Sequence, residues 1–261
     1  MEPHHTMQRV VESAPKAHSR ERTFQTCNQP NEFNELSSEQ LELMAEAGRE
    51  VIECHRVLSK SDSNIVAEVL PAEHTFYEYD HCPAGDVYDR ETHSQYYYHS
   101  HREGEHGHFH TFQRELGIPE GVKPIPQSKT EGMIKNGDKI SHLVAISMDK
   151  LGFPIGLFTT NRWVTAEYWY SATDVVKMLD HFVIDHSWPS WPTNRWITAM
   201  LQLFRPQIIS LLEQRDANLE RWAREHSSED VLEDRRLDLT SHIAISVDDQ
   251  ISKIQSALEA G

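Results

Sequence analysis

The chain has 261 residues and a formal net charge of −16, with 38% hydrophobic and 25% charged residues. Such an acidic surface repels phosphate backbones, so we expect neither DNA nor RNA as a partner. No apolar run approaches the roughly 20 residues of a membrane-spanning helix, and we expect no membrane insertion. The first residues lack the pattern of a secretory signal, which favours a cytoplasmic protein.

The N-terminal region changes character near Ser37. Residues 1–35 are polar and lack a periodic apolar stripe, which predicts a flexible tail. From Ser37 onward, a Ser-x-x-Gln capping pattern is followed by apolar residues at helical intervals, which predicts a helix over 38–59. We expect residues 36–261 to form a single domain.

The middle of the chain, residues 73–165, is rich in alternating and aromatic side chains, which is typical of strands. The tetrapeptide PAGD predicts a turn, and SHLVAISMD with IGLFTTNRW predicts a further hairpin. These patterns predict a small antiparallel sheet, with a cupin-like or barrel-like arrangement as alternatives.

The last third of the chain has helical periodicity over 171–226, and Pro206 should kink or divide the helix there. A strand and a final amphipathic helix are expected over 240–260. The fold class is therefore predicted to be α+β, with N-terminal and C-terminal helices packed on the sheet.

A short repeat, TNRWVTA and later TNRWITA, places Arg162 and Arg195 in similar contexts. One interpretation is that both guanidinium groups bind an anionic substrate. The alternative is structural: an Asn or Thr caps a helix, and a buried Trp follows with a supporting Arg.

The most informative stretch is HSHREGEHGHFH, residues 99–110, with five histidines and two glutamates in twelve positions. If Glu103 and Gly104 are the central residues of a turn, His99 lies opposite His108, and His101 lies opposite His106. Opposed side chains point to the same face of a sheet and lie roughly 4.5–5.5 Å apart at Cβ. Imidazoles at that separation can share one metal ion.

The hairpin predicts a metal site, and the alternative is an exposed histidine-rich loop without a specific function. Glu105 is also a candidate general base, and Tyr97 or Tyr98 is either a proton donor or a wall of the site. An imidazole ligand usually needs an acceptor on its second nitrogen, for which Glu103, Glu105, Asp86 and Asp89 are candidates. The candidate ligands are His99, His101, Glu105, His106, His108 and His110.

Part of this stretch, His99-x-His101-x-x-x-Glu105, resembles the first half of the cupin metal motif. Two histidines and a carboxylate suit iron or manganese with open coordination positions. The second cupin half would be Pro154-Ile155-Gly156, but Thr159 occupies the position of its histidine. The resemblance therefore leaves the last ligand to His142 or His108.

A wider resemblance rests on YYYHSHREGEHGHFHTF, MDKLGFPIGLFTTNRWVT, SWPTNRW and LFRPQI. In these motifs the chain resembles an uncharacterised bacterial family of unknown function over approximately residues 40–225. The resemblance implies no activity, cofactor or catalytic residue, so function must be argued from the site.

The leading hypothesis is a metal-dependent oxidoreductase with a mononuclear non-haem iron, or less favourably manganese or copper. Its substrate would be a small molecule, which is anionic if Arg162 and Arg195 bind it. The alternatives are a zinc-dependent hydrolase or lyase at the same residues, and a non-catalytic metal sensor or buffer. The oligomeric state, including a homodimer, is left open by the sequence.

Overall fold

The computed structural model describes residues 33, 36–71, 80–126, 139–226 and 230–260. Apart from position 33, the predicted tail 1–35 lies outside the described residues, as does the beginning of the predicted β-rich region, 73–79. Within the described ranges, no helix has both the length and the apolar character needed to cross a membrane.

The helices are α1 to α6 in chain order. The first begins with the predicted capping box, in which the Ser37 hydroxyl and the Gln40 side chain each bond the other's backbone N–H. The chain divides near Pro206, which lies in the first turn of α5, where its missing N–H costs little. The bounds are α1 Ser38–Ser59, α2 Arg162–Thr165, α3 Ala172–Leu179, α4 Trp191–Leu203, α5 Arg205–Glu225 and α6 Val247–Ala260.

Six strands form one antiparallel sheet in the order β1-β2-β3-β4-β5-β6, so each strand pairs with its neighbours in sequence. The fold class is α+β, as the sequence predicts. Within the described residues β1 and β6 are the two edges of this meander, and the sheet order gives no support to a barrel or a cupin. The bounds are β1 Cys82–Tyr88, β2 Ser94–His99, β3 Gly107–Arg114, β4 Ile140–Met148, β5 Pro154–Thr160 and β6 Leu239–Ala244.

The predicted PAGD turn is wrong, because these residues lie inside β1. Gly85 and Asp86 both have positive φ, and the pairing of β1 with β2 shifts register between Cys82 and Val87. The left-handed residues therefore make a bulge in the strand rather than a reversal of the chain.

The sheet has two different faces. The one bearing Tyr96, Tyr98 and Phe109, here the helix face, belongs to the main hydrophobic core with α1 and α4. The Phe109 ring lies 5.8 Å from that of Trp196, and the Tyr96 hydroxyl donates to Asn194 Oδ1 at 2.6 Å. Each large side chain buried there contributes about 1.5–3 kcal/mol.

The opposite face bears His99, His108 and His110 and is here the histidine face. Side chains alternate along a strand, so these histidines point away from their neighbours Tyr98 and Phe109. All three are buried. The helix face therefore packs against the helices, and the histidine face holds the buried imidazoles.

Candidate metal centre

The β2–β3 hairpin reverses as the sequence predicts. Gly104 has a φ of +90°, the conformation that glycine adopts at little cost. The register pairs His99 with His108 and Tyr97 with His110. The two strands therefore bring these histidines to adjacent rungs on the same face of the sheet.

The predicted square of four histidines does not form. Because β2 ends at His99 and β3 begins at Gly107, residues 100–106 form a loop and the expected pairing of His101 with His106 is missing. The Nδ1 of His106 instead bonds the hydroxyl of Tyr98 at 2.6 Å, on the side of the helix face. His106 is thus separated from the other histidines.

Gly107 is the residue at which the loop 100–106 leads into β3. A Cβ at this position would lie 2.6 Å from the carbonyl oxygen of His99 and would collide with the Tyr98 hydroxyl. Only a residue without a side chain lets the two strands approach this closely. The close approach holds His108 against His99.

Three histidines converge in the structure: His99, His101 and His108, here the histidine triad. One ring nitrogen of each lies within 4.8 Å of the others. The Nε2 atoms of His99 and His108 are 2.7 Å apart, and the His101 ring lies 4.7 Å from the His99 ring and 5.1 Å from the His108 ring. Three nitrogen donors around one point can hold a transition metal ion.

Glu105 lies beside the triad and contacts it through His108. Its Oε1 accepts a hydrogen bond from His108 Nδ1 at 2.5 Å, and its carboxylate also accepts one from Ser147. Because a carboxylate needs a donor, His108 carries its proton on Nδ1 and presents the Nε2 lone pair towards His99. Glu105 therefore orients a candidate ligand, and Glu103, an alternative for that role, is exposed.

The remaining candidate acceptors are engaged elsewhere. Asp86 accepts from His81 Nδ1 at 2.9 Å and from Gln95 at 2.6 Å. Asp89 accepts backbone hydrogen bonds from the turn that follows it and from Asp185. Glu105 is thus the member of the predicted set that contacts a histidine of the triad.

Burial keeps the triad neutral. It lowers the pKa of His99 to about 2, with smaller contributions from His108 and His101, and it also lowers the pKa of His101 and His108. Burial raises the pKa of Glu105, but hydrogen bonds from His108 and Ser147 outweigh it and leave that pKa below its usual value. Unprotonated imidazoles are the form that a metal ion binds.

Aromatic rings enclose the triad. The Tyr97 ring lies 5.2 Å from the ring of His99 and stacks on His81 at 3.6 Å, and the Phe158 ring lies 5.1 Å from that of His108. Burial raises the pKa of the Tyr97 hydroxyl well above its usual value. The ring of Tyr97 thus borders the triad, and a role of its hydroxyl as a proton donor stays a prediction.

A second pair of histidines continues the polar face. His110 Nδ1 lies 2.9 Å from His142 Nε2, and the Nε2 of His110 is buried without a hydrogen-bond partner among the described residues. The His142 backbone N–H donates to Glu167 at 2.5 Å. Burial raises the pKa of Glu167 to about 7 and lowers that of His142 to about 3.

A bulge in β4 brings His142 to this face. Thr111 pairs with Val144 but Phe112 pairs with His142, so Leu143 is an extra residue. Both Leu143 and Val144 belong to the main core, and His142 is thereby turned to the opposite side. Sequence spacing across β4 gives no sign of this reversal.

The two predicted substrate-binding arginines are not brought to the triad. Arg162 is 2% exposed, and its guanidinium donates to Glu233 at 2.6 and 3.0 Å. Arg195 lies on α4 and is paired with Glu50 of α1. Each guanidinium already has a carboxylate partner, so these contacts are structural.

The repeated heptapeptide adopts two conformations. Asn161 caps α2, and its side chain accepts from the Arg162 N–H, which matches the structural interpretation of the repeat. Asn194 lies within α4 and bonds Tyr96 and the carbonyls of His186 and Trp188. The similar sequences do not create similar arginine sites.

Comparison with known protein families places this site in a known family. A family model described as a domain of unknown function (DUF6969) matches residues 45–245, and the chain belongs to this family. The matched range contains the histidine triad and Glu105, but the description names no activity, cofactor or substrate. Comparisons with curated proteins and with solved structures found no match.

Proposed function

We propose that the protein is a metal-dependent enzyme whose mononuclear transition-metal ion is held by His99, His101 and His108. The observation that carries the proposal is the convergence of three ring nitrogens within 4.8 Å, with His99 and His108 buried and His101 partly buried. A chance cluster on an exposed loop would not combine burial, neutral rings and an orienting carboxylate on His108.

The donor set leaves room for a substrate. Three imidazoles fill half of an octahedral shell or three corners of a tetrahedron, so positions remain for water or another molecule. His110, with its unpartnered Nε2 and its ring 4.8 Å from the His108 ring, is a further candidate ligand. A site with open positions favours catalysis over a closed structural role.

Iron is the metal that we favour, and the proposed reaction is oxidation of a small molecule. Imidazole is a good ligand for ferrous iron, and the enclosing rings of Tyr97 and Phe158 limit access of water. Zinc-dependent hydrolysis or lyase chemistry is the second candidate. Because Glu105 is bonded to His108, the remaining candidate ligands are all imidazoles. Many catalytic zinc sites have such a ligand set, which supports this candidate.

The test is elemental analysis of protein prepared without an affinity tag, repeated on His99→Ala and His108→Ala. We expect about one ion per chain in the natural protein and a large loss in both variants. His181→Ala, which removes an exposed histidine after α3, is the matched control and should retain the ion. Retention of the full metal content by both triad variants would refute the proposed site.

The same samples separate the two reactions. Bound iron, with oxygen consumption that depends on ferrous iron, supports the oxidoreductase. Stoichiometric zinc without oxygen consumption supports the hydrolase or lyase. Uptake of several ions per chain, without an exchangeable ligand position, supports the non-catalytic metal buffer.

A further inference from the structure

Arg102 follows His101 in the loop between β2 and β3, next to the histidine triad. Its guanidinium carbon lies 4.4 Å from the centroid of the Phe158 ring, and that ring is 5.1 Å from the ring of His108. The cation therefore lies over the same aromatic wall that borders the candidate metal centre.

The charge of Arg102 acts on the triad. After burial, it is among the causes that lower the pKa of His101 and His108, and it also lowers the pKa of Glu105. Burial also lowers the pKa of His242, and the charge of Arg102 adds a smaller effect in the same direction. These effects place the positive charge within electrostatic range of the site.

Part of this guanidinium has no partner. Nη1 of Arg102 is buried and makes no hydrogen bond, and the ion pairs found among the described residues do not include Arg102. The fully buried arginines of the described residues differ: Arg162 is paired with Glu233, and Arg215 with Asp216 and the Tyr170 carbonyl. A buried charged donor is expected to have an acceptor.

We propose that Arg102 binds an oxyanion of the substrate, of the carboxylate or phosphate type, next to the metal ion of the histidine triad. This inference rests on the proposed function and names the chemical class of its substrate. It assigns to Arg102 the role that one interpretation of the repeat predicts for Arg162 and Arg195. Its contact with the Phe158 ring, which borders His108, would hold the anion beside the candidate metal centre.

The experiment uses Co²⁺ as a visible probe of the metal and acetate or inorganic phosphate as the anion. The full chain is first titrated with Co²⁺, and each anion is then added while the absorption bands of the bound ion are followed. Acetamide, a neutral molecule shaped like acetate, is the control ligand. We expect one or both anions to shift the spectrum with saturation and acetamide to have no effect.

The decisive variant is Arg102→Gln, and Arg195→Gln is the matched control because Arg195 lies on α4 and is paired with Glu50. We expect Arg102→Gln to bind one Co²⁺ per chain as before but to bind the anion about tenfold or more weakly. Arg195→Gln should bind both like the natural protein. Comparison of acetate with phosphate identifies which oxyanion the site prefers.

The outcomes separate the two proposals. Unchanged anion affinity in Arg102→Gln, or equal binding of acetamide and acetate, overturns the role of Arg102 and leaves the metal site intact. Failure to bind Co²⁺ overturns the proposed function. In that case, ¹³C NMR of labelled acetate with the metal-free chain decides the role of Arg102, since loss of binding in Arg102→Gln supports it and unchanged or absent binding refutes it.

Discussion

The Nε2 atoms of His99 and His108 lie 2.7 Å apart although the residues are nine positions apart in the chain. The contact exists because Gly104 reverses the chain and Gly107 lets the strands close. At this distance the two ring nitrogens share a hydrogen bond in the metal-free chain, and a bound ion would replace the shared proton.

The first prediction concerns the carboxylate that orients His108. Glu105→Gln removes the charged acceptor of the His108 Nδ1–H but leaves the triad in place, so metal affinity should fall by roughly 10–100-fold without a change in stoichiometry. The measurement is a competition titration with a chelator of known affinity.

Glu103→Gln is the control for this prediction, because Glu103 is exposed and lies two residues away in the same loop. It should keep the natural affinity. If both variants bind the ion equally well, the hydrogen bond of Glu105 has no role in metal binding.

The second prediction separates two histidines of one loop. His101→Ala should lose most of the bound metal, whereas His106→Ala should retain it, because the Nδ1 of His106 is bonded to the Tyr98 hydroxyl. Metal content by elemental analysis and circular dichroism of both variants make the comparison. Equal loss in the two would mean that the loop rearranges to a four-histidine site.

The third prediction concerns pH and Glu167. His99 and His142 have folded-state pKa values of about 2 and about 3. Below about pH 6.5 the unfolded chain binds the more protons at these residues, so their contribution to stability falls as the pH falls. Glu167, with a folded pKa of about 7, acts in the opposite direction between its unfolded value of 4.5 and pH 7.

Glu167→Gln removes this opposing contribution. The free energy of unfolding should then depend on pH more steeply between pH 4.5 and 6.5, by about 1.4 kcal/mol per pH unit. Urea unfolding of metal-free protein across this range measures the slope, with Glu103→Gln as the control. A slope equal to that of the natural protein would show that Glu167 does not hold a proton in the folded state.

The fourth prediction compares the two arginines of the repeat. Arg162→Ala leaves Glu233 without its cation next to the core and should lower the free energy of unfolding by about 3 kcal/mol. Arg195→Ala breaks a partly exposed ion pair with Glu50 and should cost about 1 kcal/mol or less. Both should keep their metal at pH 7.

Urea unfolding and elemental analysis test this comparison together. If Arg162→Ala were as stable as the natural protein, the ion pair with Glu233 would not be structural. A binding role for Arg162 would then need to be reconsidered.

Local signals in the sequence predict part of the site. The pairing of His99 with His108 follows from Gly104 and from strand alternation, since both are properties of adjacent residues. The contact of His108 with Glu105 also lies within three positions. The loop over residues 100–106 was not predicted. It leads into β3 at Gly107, whose close packing against the Tyr98 hydroxyl depends on the three-dimensional structure.

Longer-range relationships lie beyond sequence reasoning. His142 was a candidate only through the cupin resemblance, as a metal ligand, but the bulge at Leu143 places it against His110. Glu167 is 25 positions from His142, and nothing in its own sequence context indicates its burial. No local pattern in the sequence marks Arg102, whereas the repeated TNRW motif points to Arg162 and Arg195.

The contrast between the two faces of the sheet also protects the fold against misalignment. If β3 slid by one residue, Phe109 would turn towards the imidazoles, and His108 and His110 would enter the apolar contact with Trp196. Such a slip would separate His108 from His99 and Glu105 and would leave buried imidazoles against apolar side chains without hydrogen-bond partners. The residues of the candidate metal centre therefore disfavour a shifted register of β3. Mutations that replace them with apolar side chains would make such a shifted register less unfavourable.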